Sequence, residues 1–183
     1  MAKTLRSPFE TLSDIATKSS KLAVGLPAQD EAVELWNGIG FSIGGTQFVA
    51  GMGTVSELLP VPKYTPVPGV RPWVLGISNV RGRLIPIIDL GRFFGFSRAA
   101  TRTRDKRILV VEQDELLNGF VVDAVQGMQY FSAESFIGDY KTSVDTSLGA
   151  YVKGAYVKGN IEWLEFDTLT LINDENFLDV ALR

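Results

Sequence analysis

Apolar positions along most of the chain recur at the two-residue period of β-strands, in short runs cut by glycine and proline. The pattern predicts strands at Trp36 to Ile43, Thr46 to Ala50, Val55 to Leu59, Gly76 to Val80, Arg83 to Asp89 and Arg107 to Glu112. Four more follow at Leu116 to Val122, Asp123 to Tyr130, Tyr151 to Lys158 and Asn160 to Phe166. Gly44-Gly45, Arg81-Gly82 and Gly159-Asn160 are short-turn signals that join neighbouring strands as hairpins. Between Arg107 and Val122 two turn positions compete, Asp114-Glu115 and Asn118-Gly119. Gly127 is a bulge position.

The densest stretch is Pro72 to Phe96. A short apolar run, Trp73-Val74-Leu75, leads into a ribbon bent at Asn79-Val80-Arg81-Gly82, where Gly82 supplies a positive φ. Leu84, Ile85, Ile87 and Ile88 surround Pro86, so the return strand reads as covered on both faces. Pro86 cannot donate to a ladder and must face an edge or a bulge. Asp89 reads as the cap of a single turn, Leu90 to Phe94, ended by Gly95.

Helical spacing appears only near the ends. Ser7 caps, Pro8 suits the first turn, and Phe9, Leu12, Ile15, Ala16, Leu22 and Ala23 share a face until Gly25-Leu26-Pro27 stops the helix. The reading is a helix docked on the domain, with a partner-binding appendage as the alternative. Asp167 caps Thr168 to Ile172, and the tail with Phe177, Leu178, Val180 and Leu182 reads as a short helix or a frayed end. Residues 132–149 read as a loop with one helical turn, Ala133 to Phe136.

Many short strands with terminal helices make an all-β, barrel-forming chain. The strands cluster on either side of a polar loop, 97–106, which suggests two small barrels. Neither is large enough to be comfortable alone, so a shared core is expected. Its candidates are Leu58, Trp73, Leu75, Ile87, Leu109, Val111, Val121 and Trp163. The domain layout is a helix and connector over 1–35, two intertwined barrel subdomains over 36–172 and a tail over 173–183. The repeated words Tyr151-Val152-Lys153-Gly154 and Tyr156-Val157-Lys158-Gly159 are too short for a repeat architecture.

Composition narrows the function. With 45% apolar residues over 183 positions the chain builds a real core. The net charge of -3 argues against nucleic acid as a partner, and the arginines of 97–106 read as a solvated loop. The chain holds neither histidine nor cysteine. That removes imidazole bases, thiol nucleophiles and the usual zinc ligands, so no cofactor and no enzyme are expected. Asp89 and Asp123 are the carboxylates that catalysis would have to use, and capping is the usual work of such residues after a strand. No apolar run reaches membrane-spanning length and no secretory leader is evident, which points to the cytoplasm.

Gly76-Ile77-Ser78-Asn79-Val80-Arg81-Gly82, Ile85-Pro86-Ile87-Ile88-Asp89-Leu90 and Phe94-Gly95 together resemble the signature of CheW-like coupling domains of bacterial chemotaxis. Val55-Ser56-Glu57-Leu58, Arg107 to Glu112, Gly119 to Val125, Gly154, Gly159-Asn160 and Asp167 to Leu171 extend the resemblance over roughly Gly40 to Ile172. It implies two five-stranded SH3-like barrels sharing a core. It also implies an adaptor between the cytoplasmic tip of a methyl-accepting chemoreceptor and the regulatory domain of a CheA-type histidine kinase. Such an adaptor is cytoplasmic and reaches the membrane and the cell pole only through the receptor. Pro72-Trp73-Val74-Leu75-Gly76, Phe48-Val49-Ala50, Val61-Pro62 and the N-terminal helix are similar to the branch serving type IV pilus twitching motility. Glu165 departs from the family pattern, which favours an apolar residue there.

By the same resemblance, Val55, Arg81, Gly119, Val125 and Met128 are receptor-binding candidates, and Glu57, Gly76 and Ile108 are kinase-binding candidates. Glu57 matches a position expected to face Arg81. Gly119 would be small so that a helix tip can approach. A reading of another class is a regulatory β-barrel module that binds a small ligand or nucleic acid.

Overall fold

The computed structural model describes residues 7–22, 35–96, 105–113, 116–138 and 146–182. They belong to two compact units, Met1–Val33 and Glu34–Arg183. The Gly25-Leu26-Pro27 stop, most of the connector, the body of the 97–106 loop and the Asp114-Glu115 turn lie outside the described residues.

The first unit contributes α1 (Pro8–Leu22). Ser7 Oγ accepts from the Glu10 N–H at 3.2 Å, and Glu10 Oε2 accepts from the Ser7 N–H at 3.0 Å, which is a reciprocal capping box. Phe9, Leu12 and Ile15 are exposed along one face of this helix.

The second unit runs β1 (Leu35–Ile43), β2 (Thr46–Gly51), β3 (Val55–Pro60), β4 (Val74–Val80), β5 (Arg83–Asp89), α2 (Leu90–Phe93), β6 (Arg107–Gln113), β7 (Leu116–Val122) and β8 (Ala124–Ser132). It continues through β9 (Phe136–Ile137), α3 (Thr146–Gly149), β10 (Val152–Lys158), β11 (Ile161–Phe166), α4 (Thr168–Ile172) and α5 (Glu175–Leu178). One sheet has the order β8-β1-β2-β11-β10-β9, the other β3-β6-β7-β5-β4. The strand clusters on either side of the 97–106 loop are therefore not themselves the two barrels, because each sheet takes strands from both sides of it. Four pairings make the exchange: the antiparallel β1–β8 and β3–β6, and two parallel ones, β2 with β11 at Phe48–Leu164 and β5 with β7 at Ile87–Gly119. The β6–β7 register runs on to Gln113–Leu116, which puts Asn118-Gly119 inside a strand.

Both sheets close by the same device, in which one edge strand bends and returns to the opposite edge. β8 passes through a 3-10 turn, Ala133–Ser135, into β9, which pairs with β10 at Tyr156–Phe136. The six segments of that sheet thus make a five-stranded barrel with one bent strand. In the other sheet the chain leaving β3 reaches Thr65, whose N–H and C=O both bond Ile77 of β4, at 2.8 and 2.9 Å. Ser78 Oγ donates to the Lys63 carbonyl at 2.8 Å. The prolines around Thr65 have no N–H, so this strap holds at few points. Gly76 lets it approach: a Cβ there would run into the Thr65 carbonyl and Pro66.

The central strands face two interiors at once. Ile108 and Val110 of β6 point into the second barrel with Ile85, Ile87 and Val121. Leu109 and Val111 point the other way, into a larger core between the sheets with Phe41, Phe48, Phe120, Val122, Leu164 and Phe166. Val49, Phe131, Tyr156 and Trp163 fill the first barrel. Unbroken apolar runs are what such two-faced strands require. Of the core candidates, Leu109 and Val111 reach the shared core and Trp73 packs on its margin. Ile87, Val121 and Leu75 serve the second barrel, Trp163 the first, and Leu58 is exposed.

Asp89 caps α2, accepting from the Arg92 N–H at 3.1 Å, and Asp167 caps α4. Asp123 does not cap. Its Oδ2 accepts from the Gly44 N–H at 2.8 Å, holding the β1–β2 turn, and its Oδ1 lies 3.3 Å from Lys106 Nζ. The same ammonium is 3.6 Å from Asp89, so one lysine joins both carboxylates at the meeting of the sheets. The tail is not frayed: α5 buries Phe177 against Phe93 and Phe120, and Ala181 bridges Val70.

Burial pushes the half-buried Glu165 carboxyl above the ordinary carboxylate range; Lys153 and a hydrogen bond from Tyr156 oppose this, and Asp167 adds to it. The Tyr156 hydroxyl is itself pushed up to about 12 by burial and by Glu165.

Two predictions follow from these charges. Asp123→Ala strands the Gly44 N–H and should lower unfolding stability by about 2 kcal/mol in urea titration, with Asp123→Asn losing less because an acceptor remains. At Glu165 the folded protein holds its proton more tightly than the unfolded chain, so its contribution favours folding at low pH and is lost as pH rises through the folded value. Glu165→Gln should therefore be more stable than the parent at about pH 7, and the difference should vanish near about pH 4, read from urea midpoints.

Candidate partner-binding surface

The β4–β5 hairpin carries the most unusual backbone in the domain. Val80 pairs with Arg83, leaving a two-residue loop in which Arg81 has φ 50 and Gly82 φ 86. That is the type I′ arrangement, matched to strand twist. Asn79 Oδ1 fastens it by accepting from the Gly82 N–H at 2.8 Å. Among the described residues Arg81 is the one non-glycine with positive φ. A left-handed side-chain residue costs about 1 kcal/mol, and such strain concentrates at functional positions.

The Arg81 side chain is 74% exposed, and its Nε lies 3.2 Å from Glu57 Oε2. The predicted pair is present. Glu57 Oε2 is buried and makes no hydrogen bond, so the contact is an ion pair of imperfect angle that offsets a sheltered carboxylate oxygen. Glu57 sits on β3, at a bulge where Ser56 Oγ donates to the Val110 carbonyl at 3.0 Å. β3 and β4 stand at opposite ends of the sheet order. The pair therefore spans the seam that the Thr65 strap closes.

Val55 and Val125 are half-buried and pack on the margin of the shared core beside Ile39. Met128, 45% exposed, stands opposite Ile39 in the β1–β8 ladder, one step beyond the bulge at Gly127. Val125 and Met128 share one face of β8, and Val55 borders the same core from the other sheet.

Gly119 does not belong with these residues. A Cβ there would meet Ile87 Cδ1 at 3.0 Å, Ile85 Cδ1 at 3.3 Å and the Pro86 carbonyl at 3.3 Å. Its smallness serves the close β5–β7 pairing and not the approach of a partner. Ile108 has no exposed surface and fills the second barrel, and Gly76 is buried under the Thr65 strap. Neither presents a side chain to a partner.

The expectation that β5 is covered on both faces holds at Ile87 and Ile88, which enter different cores, and fails at the hairpin end. Ile85, Ile87 and Ile88 are buried, but Leu84 is 73% exposed. Ile77 stands opposite Pro86, and Leu84 opposite Asn79. Ile77, Leu84 and Pro86 thus share the outer face of the hairpin that ends in Arg81. Strict alternation from Ile85 marks Leu84 as outward-pointing; the unbroken apolar run concealed it. On the first barrel, Phe136, Ile137, Val157 and Ile161 are likewise exposed.

The CheW-like domain family matches residues 37–176. The chain is 43% identical over 178 residues to protein PilI of Pseudomonas aeruginosa, covering 97% of this chain and 98% of that one. It is 31% identical to the chemotaxis protein CheW of Helicobacter pylori, over 61% of this chain and 67% of the relative. The crystal structure of the scaffolding protein TtCheW from Thermoanaerobacter tengcongensis superposes with a TM-score of 0.67 at 25% identity, over 78% of this chain and 96% of that one.

The two kinds of position separate by stability. Gly119→Ala overpacks the barrel and should cost about 1–3 kcal/mol in urea unfolding. Arg81→Ala and Arg81→Gly remove an exposed pair and should stay within about 1 kcal/mol of the parent.

Proposed function

Since the chain belongs to the CheW-like domain family, we propose that it is a non-catalytic adaptor that couples a methyl-accepting chemoreceptor to a CheA-type histidine kinase. The observation that carries this reading is the outer face of the β4–β5 hairpin. An otherwise closed barrel exposes Ile77 and Leu84 beside a strained arginine paired with Glu57. An apolar centre flanked by an arginine is the composition of a protein-binding patch.

The receptor tip, a helical hairpin, docks along the margin of Val55, Val125 and Met128, with Arg81 at its end. The kinase regulatory domain uses the outer face of the β4–β5 hairpin, Ile77 and Leu84, on the side of Glu57, with Gly76 and Ile108 packed beneath it. The exposed strand residues of the first barrel, Ile137, Val157 and Ile161, give a second apolar surface, as an adaptor needs. The chain has no histidine for phosphoryl relay and no cysteine, in keeping with a protein that transforms nothing. The near full-length likeness to PilI supports a place in chemotaxis-like control of type IV pilus twitching. The adaptor acts in the cytoplasm and is drawn to the inner membrane and the pole by its receptor. Among the described residues no helix is long and apolar enough to cross a membrane.

The test is reconstitution with a receptor signalling tip and a kinase regulatory domain, followed by pull-down of each and by kinase activity. Leu84→Glu should weaken capture of the kinase domain by at least about tenfold while the fold is retained. Arg81→Ala should uncouple receptor from kinase output. Unchanged capture and coupling in both variants would defeat the reading.

A further inference from the structure

The chain holds no cysteine, so its sulfur is confined to three methionines, Met1, Met52 and Met128. Two of them flank the same stretch of β1. The Met52 N–H donates to the Asn37 carbonyl just past the end of β2, and Met128 stands opposite Ile39 on the β8 side. Met52 is 50% exposed and Met128 45%. Thioethers so accessible are open to two-electron oxidants, which convert an apolar side chain into a polar, chiral one.

Met128 differs from Met52 in its surroundings. Tyr130 lies two residues on, opposite Asn37, and so shares the face of β8 that carries Met128. Its hydroxyl donates to the Met128 sulfur. Among the described residues no side chain donates to the Met52 sulfur. A thioether sulfur has two lone pairs, so the Tyr130 hydroxyl covers one at Met128 and leaves the other free. The bulge at Gly127, φ 75, sets Met128 on the same face as Val125. Met128 belongs to none of the buried cores, so an added oxygen meets water and not packed side chains.

We propose that Met128 is a site of stereoselective, reversible sulfoxidation that turns this face of β8 from apolar to polar. The free lone pair attacks one oxygen of hydrogen peroxide. The S–O bond forms and the O–O bond breaks. Sulfur gives up two electrons, and the proton on the attacked oxygen passes to the departing hydroxide, which leaves as water. A sulfoxide reductase reverses the step: two thiols supply two electrons and two protons, join as a disulfide, and the oxygen leaves as water. Because Tyr130 covers one lone pair, one of the two sulfoxide epimers prevails. The control that this gives over docking rests on the reading of Met128 as part of the receptor surface.

The folded full chain is treated with hydrogen peroxide and digested. The Met52 and Met128 peptides are then exposed to reductases specific for each epimer and followed by mass spectrometry. One epimer should exceed the other at least about threefold at Met128 and stay near parity at Met52. Tyr130→Phe should bring Met128 to parity, and circular dichroism of the intact chain should not change on oxidation. The oxidised chain should capture a receptor signalling tip at least about fivefold less well, while Met128→Leu keeps its capture under peroxide. Equal epimers at Met128, or an excess that survives Tyr130→Phe, would overturn the site. Full capture by the oxidised chain would overturn the control. A parent that captures no tip before oxidation would strike the receptor reading and the control with it, while the epimer ratio still decides the site.

Discussion

The fold depends on strands that have no outside. β6, β7 and β2 each place alternate side chains in two different interiors, so that Ile108 and Val110 belong to one core and Leu109 and Val111 to another. Phe48 and Val49, adjacent in the chain, fall in different cores for the same reason. A barrel of five short strands encloses little apolar volume. Setting two of them back to back adds a third interior, larger than either, built from outward-facing residues that would otherwise meet water. The shared core is thus a condition of either barrel existing.

Much of this was legible in the chain, and what was not has definite causes. The hairpins at Gly44-Gly45 and Arg81-Gly82, the Asp89 and Asp167 caps and the Gly127 bulge are local devices, set by residues within a few positions of one another. The parallel pairings of Phe48 with Leu164 and of Ile87 with Gly119 leave no local mark. Without them, a loop between strand clusters reads as a boundary between barrels. The Glu57–Arg81 pair was legible through family resemblance, since nothing near either residue points to the other. Gly119 is a receptor-binding candidate only through family resemblance, and nothing local in the chain says that what approaches it is β5. Leu84 was missed because an unbroken apolar run hides which of its members faces out.

The surfaces proposed for partners gain meaning from this construction. Arg81 and Glu57 stand across the seam of the second barrel, so their geometry reports how tightly that barrel is closed. Val55 and Val125 lie on the margin of the core that joins the barrels. A partner seated on either feature reads a property of the whole domain and not of one loop. The Lys106 bridge between Asp89 and Asp123 acts in the same sense, tying the end of β5 to the start of β8 and, through Gly44, to the turn of the other sheet.

The exchange of strands also bears on how the molecule is made. β1 and β2 leave the ribosome early, yet β2 finds its parallel neighbour only when β11 has emerged. Contacts so distant along the chain slow folding. The sheet of β3 to β7 is contiguous in the chain, whereas the other sheet waits for β8 to β11 before β1 and β2 find their remaining neighbours. The face proposed on the β4–β5 hairpin therefore belongs to the part whose strands are complete first.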